Sequence, residues 1–146
     1  MVVWGWAPVG FAVVSAWWDG AARVGNAGDG GSLATLEGHT EGLTACAWAP
    51  DGSAVVTASG DGTARVWSAG DWSCLATLTG HTDTVMACAW APDGFALVTA
   101  SLDGTARVWN AGAWSSLATL HGHAGGVTAF AWAPDGSAVV TAPGDG

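Results

Sequence analysis

An all-β chain of consecutive four-stranded antiparallel sheets is what this sequence predicts. Its apolar runs are short, within the roughly 4–8 residues of ordinary strands, and turns rich in Gly, Pro and Asp separate them. The whole pattern repeats every 42 residues, with Gly38, Gly80 and Gly122 marking one point in three successive copies. No stretch places its apolar residues at a sustained helical spacing.

The stretch from Gly38 to Leu78 shows the unit most plainly. Leu43 to Trp48 alternates and ends in Ala49-Pro50-Asp51-Gly52, where Pro presets one φ and Gly can take a positive one. Ser53 to Ser59 carries Val55, Val56 and Thr57, which suit a pleated and mostly buried strand. Asp61-Gly62 is a tight hairpin signal, and Thr63 to Trp67 returns from it. Cys74 to Leu78 is the fourth run and leads into the next Gly-His pair.

Copies on either side are judged against this one. Residues 80–120 repeat it in full. The stretch before it is worn: Gly25 stands where later copies have Trp67 and Trp109, and Trp17-Trp18 replaces Ser59-Gly60. Met1 to Trp18 carries no positive charge and is uncharged throughout, so it could pass for a signal peptide or membrane anchor. Its phase argues for a strand-forming copy instead. Ala7-Pro8-Val9-Gly10 precedes Ala49-Pro50-Asp51-Gly52 by 42 residues, and Asp19 and Arg23-Val24 precede Asp61 and Arg65-Val66 by the same interval. At the far end a further copy opens near Gly125 and stops at Asp145-Gly146, with Pro143 at the place of Ser59 and Ser101.

Three motifs give the unit a family likeness: Gly38-His39, Gly80-His81 and Gly122-His123; Asp61, Asp103 and Asp145 in Asp-Gly turns; and Arg65-Val66-Trp67 with Arg107-Val108-Trp109. Over nearly its whole length the chain resembles a WD40-repeat protein. The Asp that would follow the Trp is Ser68 in one copy and Asn110 in the next. The resemblance implies β-propeller blades in an incomplete ring of about three and a half repeats. Blade one would span about 2–36, blade two 41–78, blade three 83–120, and blade four 125–146 with its first two strands only. Open blade faces and a lone hairpin would be marginal in water and would invite self-association. The expectation is therefore a segment of a longer propeller.

Ser59, His39 and Asp61, and likewise Ser101, His81 and Asp103, are the residue types of a hydrolase triad. Recurrence in consecutive units weighs against a distinct active site. The resemblance implies a structural hydrogen-bond chain in the same places. Its members would be His39, Asp61, Trp67 and either Thr57 or Ser59, then His81, Asp103, Trp109 and either Thr99 or Ser101. No enzyme activity, cofactor or metal is expected. The Asp-Gly turns lack the dense acidic run and distal Glu of a calcium loop, and the Cys and His are too dispersed for a zinc site.

Composition narrows the partners. The net charge is −9, no Lys occurs, and the only cations are Arg23, Arg65 and Arg107, one period apart. Binding to nucleic-acid phosphates needs Lys and Arg to displace counterions, so nucleic acid is excluded; a basic protein or peptide is compatible. Three Cys at 46, 74 and 88 form no close pair, which points to reduced thiols and an intracellular, cytoplasmic or nuclear protein rather than a membrane one. Turns account for the 23 Gly, and packing between blades accounts for the 11 Trp.

By the same resemblance, the loops that join one blade to the next build, with the Asp-Gly turns, a face for protein partners. Glu37, Glu41, Asp83, Leu102 and His121 lie on or near it. Trp72 and Trp114 fall in the opposite loops, either as exposed interface aromatics or folded back over a neighbouring strand. The function expected is a non-catalytic protein-interaction scaffold. The alternatives are blades that serve an enzymatic or signalling domain elsewhere in a longer chain, or a decayed fragment without function.

Overall fold

The chain folds, in a computed structural model that describes residues 3–6, 12–26, 31–121, 127–132 and 139–143, into strands and loops alone among those residues. The first sheet holds β1 (Val3–Trp6), β2 (Ala12–Ala16), β3 (Ala22–Asn26) and β4 (Ser32–Leu36). The second holds β5 (Leu43–Trp48), β6 (Ala54–Ser59), β7 (Ala64–Ser68) and β8 (Cys74–Leu78). The third holds β9 (Val85–Trp90), β10 (Ala96–Ser101), β11 (Ala106–Asn110) and β12 (Ser116–Leu120), and β13 (Val127–Trp132) pairs with β14 (Val139–Pro143). Among the described residues every sheet is antiparallel with its strands in chain order, and none closes into a ring. These are propeller blades in an incomplete ring.

The register shows how faithfully the backbone repeats. Thr57 stands opposite Cys46 and Arg65, and Thr99 stands opposite Cys88 and Arg107. In both sheets the first hairpin carries an irregularity near its open end, at Leu43/Ala45 and at Ala100/Ser101.

Among the described residues sheets stack through two apolar cores, and alternation along each strand decides which core a side chain joins. Leu43, Val55 and Trp67 of the second sheet pack with Val14, Val24 and Leu36 of the first. Val56, Val66 and Leu78 leave the other face of the second sheet to meet Leu97 and Trp109 of the third. Strand β6 is buried at all six residues because both its faces are covered, which explains an unbroken AVVTAS run where a half-exposed strand would alternate. Each Val or Leu fully removed from water contributes about 1.5–3 kcal/mol. The first strands lie nearest one another: β5 lies against both β1 and β9, and β9 against β13. Thr44 Oγ1 donates to the Val85 carbonyl and Trp90 Nε1 donates to that of Ala47 at 3.3 Å, so polar bonds also cross between second and third sheets.

Trp72 and Trp114 fold back. Each stands edge-on to a Trp of a first strand, Trp72 to Trp48 at 6.1 Å and Trp114 to Trp90 at 5.8 Å, both at 78°. Their backbones hold φ of 61° and 55°, left-handed values that cost a non-glycine residue about 1–2 kcal/mol. Burying a large ring against a core outweighs that cost.

Among the described residues no helix is long and apolar enough to cross a membrane. Residues 3–6 and 12–16 of the N-terminal stretch are strands of the first sheet. The expected turn Ala7-Pro8-Val9-Gly10, the Gly122-His123 pair and Asp145-Gly146 lie outside the described residues.

Candidate functional site

In the second sheet four side chains form one directed chain of hydrogen bonds. Trp67 Nε1–H donates to Thr57 Oγ1 at 3.0 Å, Thr57 Oγ1–H donates to His39 Nε2 at 2.8 Å, and His39 Nδ1–H donates to Asp61 Oδ2 at 3.0 Å. The direction is forced. An indole N–H can only donate and an ionised carboxylate can only accept, so the hydroxyl and the imidazole between them must pass donors in one sense. The third sheet repeats it: Trp109 to Thr99 at 3.0 Å, Thr99 to His81 at 2.7 Å and His81 to Asp103 at 2.9 Å.

Asp61 ends the chain and holds its own hairpin. Its carboxylate also accepts from the N–H of Thr40 at 3.1 Å, the N–H of Thr63 at 2.9 Å and the Thr63 hydroxyl at 2.6 Å. Desolvation by itself would raise this carboxyl's pKa. The hydrogen bonds from Thr63, His39 and Thr40 together outweigh it and bring the carboxyl down to about 2. Asp103 is likewise held below the ordinary carboxylate range by Thr105, His81 and Thr82 against the same desolvation. Burial lowers the pKa of His39 and His81 by more than the neighbouring carboxylates raise it, so both imidazoles stay neutral at pH 7.

The second candidate hydroxyl does different work. Ser59 Oγ donates to the Glu41 carbonyl at 3.0 Å and accepts from the Asp61 N–H at 3.1 Å, and Ser101 Oγ does the same with Asp83 and Asp103. Thr57 and Thr99 are therefore the hydroxyls bonded to the His and Trp, and Ser59 and Ser101 clamp the connecting loop. With Nε2 occupied by a threonine and Nδ1 by an aspartate, each His has both nitrogens engaged. The Ser–His contact that a triad needs is not the one these hydroxyls make.

Glycine before the His suits the backbone there: Gly38 and Gly80 hold φ of 151° and 131°, values that a side chain disfavours. A Cβ on Gly38 would also lie 2.7 Å from Arg65 Nη1, and one on Gly80 3.0 Å from Arg107 Cζ, and would push those flexible side chains aside. The guanidinium groups lie close to that backbone, and Arg107 donates to the Gly80 carbonyl at 3.1 Å.

The first sheet solves the same place differently. Asp19, the counterpart of Asp61, is more than half exposed and pairs with Arg23 at 2.9 Å. Trp17 Nε1–H donates to Ser15 Oγ at 2.8 Å, and the Arg23 guanidinium lies 4.8 Å from the Trp17 ring centre.

The family model "WD domain, G-beta repeat" matches residues 30–68, 72–110 and 114–146. The chain belongs to the WD40-repeat family. The first two matched WD40 units each start at the last strand of one sheet and end with the third strand of the next, so they cover β4 with β5–β7 and β8 with β9–β11. The His–Asp–Thr–Trp chain thus lies wholly within one unit while that unit spans two blades. WD40 repeats are in general non-catalytic protein-interaction scaffolds. No curated protein matches the chain.

Five residues were expected on the partner face. Glu41 and Asp83 both line one polar cleft of about 370 Å³ between second and third sheets, with Gly60, Asp61, His81 and Thr82 around them. Glu37, Leu102 and His121 are exposed but outside its lining. Trp18 is a further exposed residue at this end of the blades. It is 81% exposed and occupies the position of Leu102 two periods earlier, a correspondence that the 42-residue spacing already contained. Among the described residues no group of three or more His, Cys, Asp or Glu is placed to hold a metal ion.

Proposed function

We propose that this WD40 chain is a non-catalytic scaffold that receives an arginine- or lysine-rich segment of another protein at the end of its blades carrying the Gly-His loops. The cleft between the second and third sheets supports this most directly. Glu41 and Asp83 are exposed acids in its lining, no Lys or Arg lines it, and Trp18 and Leu102 offer exposed apolar surface on the same end of the blades. Engagement of both nitrogens of His39 and His81 within the blades supports a binding role over a chemical one. Cys46 and Cys88, whose burial pushes their thiol pKa up, behave as packed apolar side chains and suit a reducing compartment.

A fluorescein-labelled peptide of alternating Arg and Gly is the probe. Fluorescence anisotropy is expected to show binding that weakens about tenfold in the Glu41→Gln, Asp83→Asn double variant and falls with added salt. Equal affinity for the double variant, or no binding at about 1 mM chain, overturns the proposal.

A further inference from the structure

A second surface lies at the opposite end of the same two sheets. The β5–β6 turn, the β9–β10 turn and the β11–β12 loop enclose a groove of about 460 Å³, within the roughly 300–1,000 Å³ of clefts that take ligands. Leu75, Trp90 and Trp114 form its apolar surface, with Pro50 and Phe95 contributed by the two turns. Phe95 is 74% exposed and Leu75 is 51% exposed, so neither ring nor branch does much for the blade's own core. The repeat sharpens the point. Serine stands at the place of Phe95 in the neighbouring copies, as Ser53 and Ser137, so the turn itself needs no aromatic there.

Charge at this groove is acidic on both turns. Asp51 and Asp93 each spend Oδ1 on their own turn, Asp51 on the N–H and hydroxyl of Ser53 and Asp93 on the N–H of Phe95. Both residues are exposed. No cation lines the groove, and the arginines of the two sheets that form it, Arg65 and Arg107, lie against Gly38 and Gly80 at the other end. An apolar slot between two unneutralised carboxylates selects one kind of occupant. We infer that this groove docks a segment of another protein in which a large apolar side chain is flanked by Arg or Lys, the apolar group against Phe95 and Trp114 and the cations on Asp51 and Asp93. It is a separate surface from the Glu41–Asp83 cleft, and it stands or falls independently of it.

The probe is a short fluorescein-labelled peptide with Phe between two Arg, measured by anisotropy against the intact chain. Phe95→Ser, which installs the residue of the neighbouring copies, is expected to weaken binding at least about tenfold with the near-ultraviolet dichroism unchanged. Asp51→Asn with Asp93→Asn is expected to weaken it similarly and to flatten its salt dependence. Exchange of the peptide's Arg for Glu should abolish binding, and Glu41→Gln with Asp83→Asn should leave it intact. Should Phe95→Ser disturb the fold, Leu75→Ser provides the same reading. Equal affinity for the Phe95→Ser and wild-type chains, loss of binding in the Glu41, Asp83 variant, or no binding at about 1 mM overturns the inference. So does self-association of the intact chain that Phe95→Ser removes, which would assign the groove to a second copy.

Discussion

The first and second sheets share strand order, an Asp at the same turn and an Arg on the same strand, yet they use the Asp in different ways. In the second, Asp61 is 10% exposed and closes a chain of polar bonds that runs from a buried indole. In the first, Asp19 accepts from the Ala21 N–H of its own hairpin and pairs with Arg23, out in solvent. One replacement within the sheet separates them: Gly25 stands at the place of Trp67. The four strands pair all the same. Pleat, alternation and turns suffice to form a blade, and the polar chain adds attachment. It ties the Gly-His loop and the hairpin turn to the sheet, and Trp67 carries that attachment into the core shared with the first sheet.

The comparison can be broken most severely at the indole. Trp67→Ala is expected to cost about 3–5 kcal/mol in urea unfolding, since it removes a large buried ring and the donor that Thr57 accepts. A loss below about 1 kcal/mol would mean that the ring does not join the first two sheets. The turn aspartates give the next largest contrast. Asp61→Ala is expected to cost about 1–3 kcal/mol because it leaves the buried Nδ1–H of His39 and two loop N–H groups without their acceptor. Asp19→Ala, at an exposed ion pair, should leave the urea midpoint unchanged. Equal effects from the two would erase the distinction between the sheets.

Acid should separate them more gently, in two stages. The unfolded chain takes up protons on histidine near the ordinary value of 6.5, whereas burial lowers the pKa of His39 and His81 in the fold. Below pH 6.5 the unfolded state therefore binds more protons, and stability falls with pH. Asp61 adds a lower window: its contribution is complete above the ordinary 3.8 and is lost as pH falls through its folded value of about 2. Urea midpoints taken from pH 7.5 downward should begin to fall below about 6.5, and His39→Gln with His81→Gln should remove that first decline. A midpoint flat to pH 4 in the unsubstituted chain would contradict neutral, buried imidazoles.

Much of this was legible in the residues. Leu43–Trp48 and Cys74–Leu78 are strands with the bounds that their apolar runs suggest. The Gly-His pairs, turn aspartates and Trp positions lead to the members of the bond chain, because each falls in the same place in successive copies. Thr57 and Ser59 could not be told apart that way, since two residues along a strand return to the same face. Their depth decides between them: Thr57, across from Arg65 in the middle of β6, reaches both rings, while Ser59 at the strand end reaches the loop carbonyls.

Local chemistry along the chain determined the strands, the turns and the 42-residue unit, because periodicity and turn residues act over a few neighbours. The tertiary structure decided which way Trp72 and Trp114 turn, that Glu41 and Asp83 share a cleft, and that Phe95, Leu75 and Trp114 share a groove. Those outcomes depend on how one sheet is set against the next. That setting comes from close packing of Trp67 and Trp109 against residues of the preceding sheet about 30 or more positions away, a distance over which no local pattern acts.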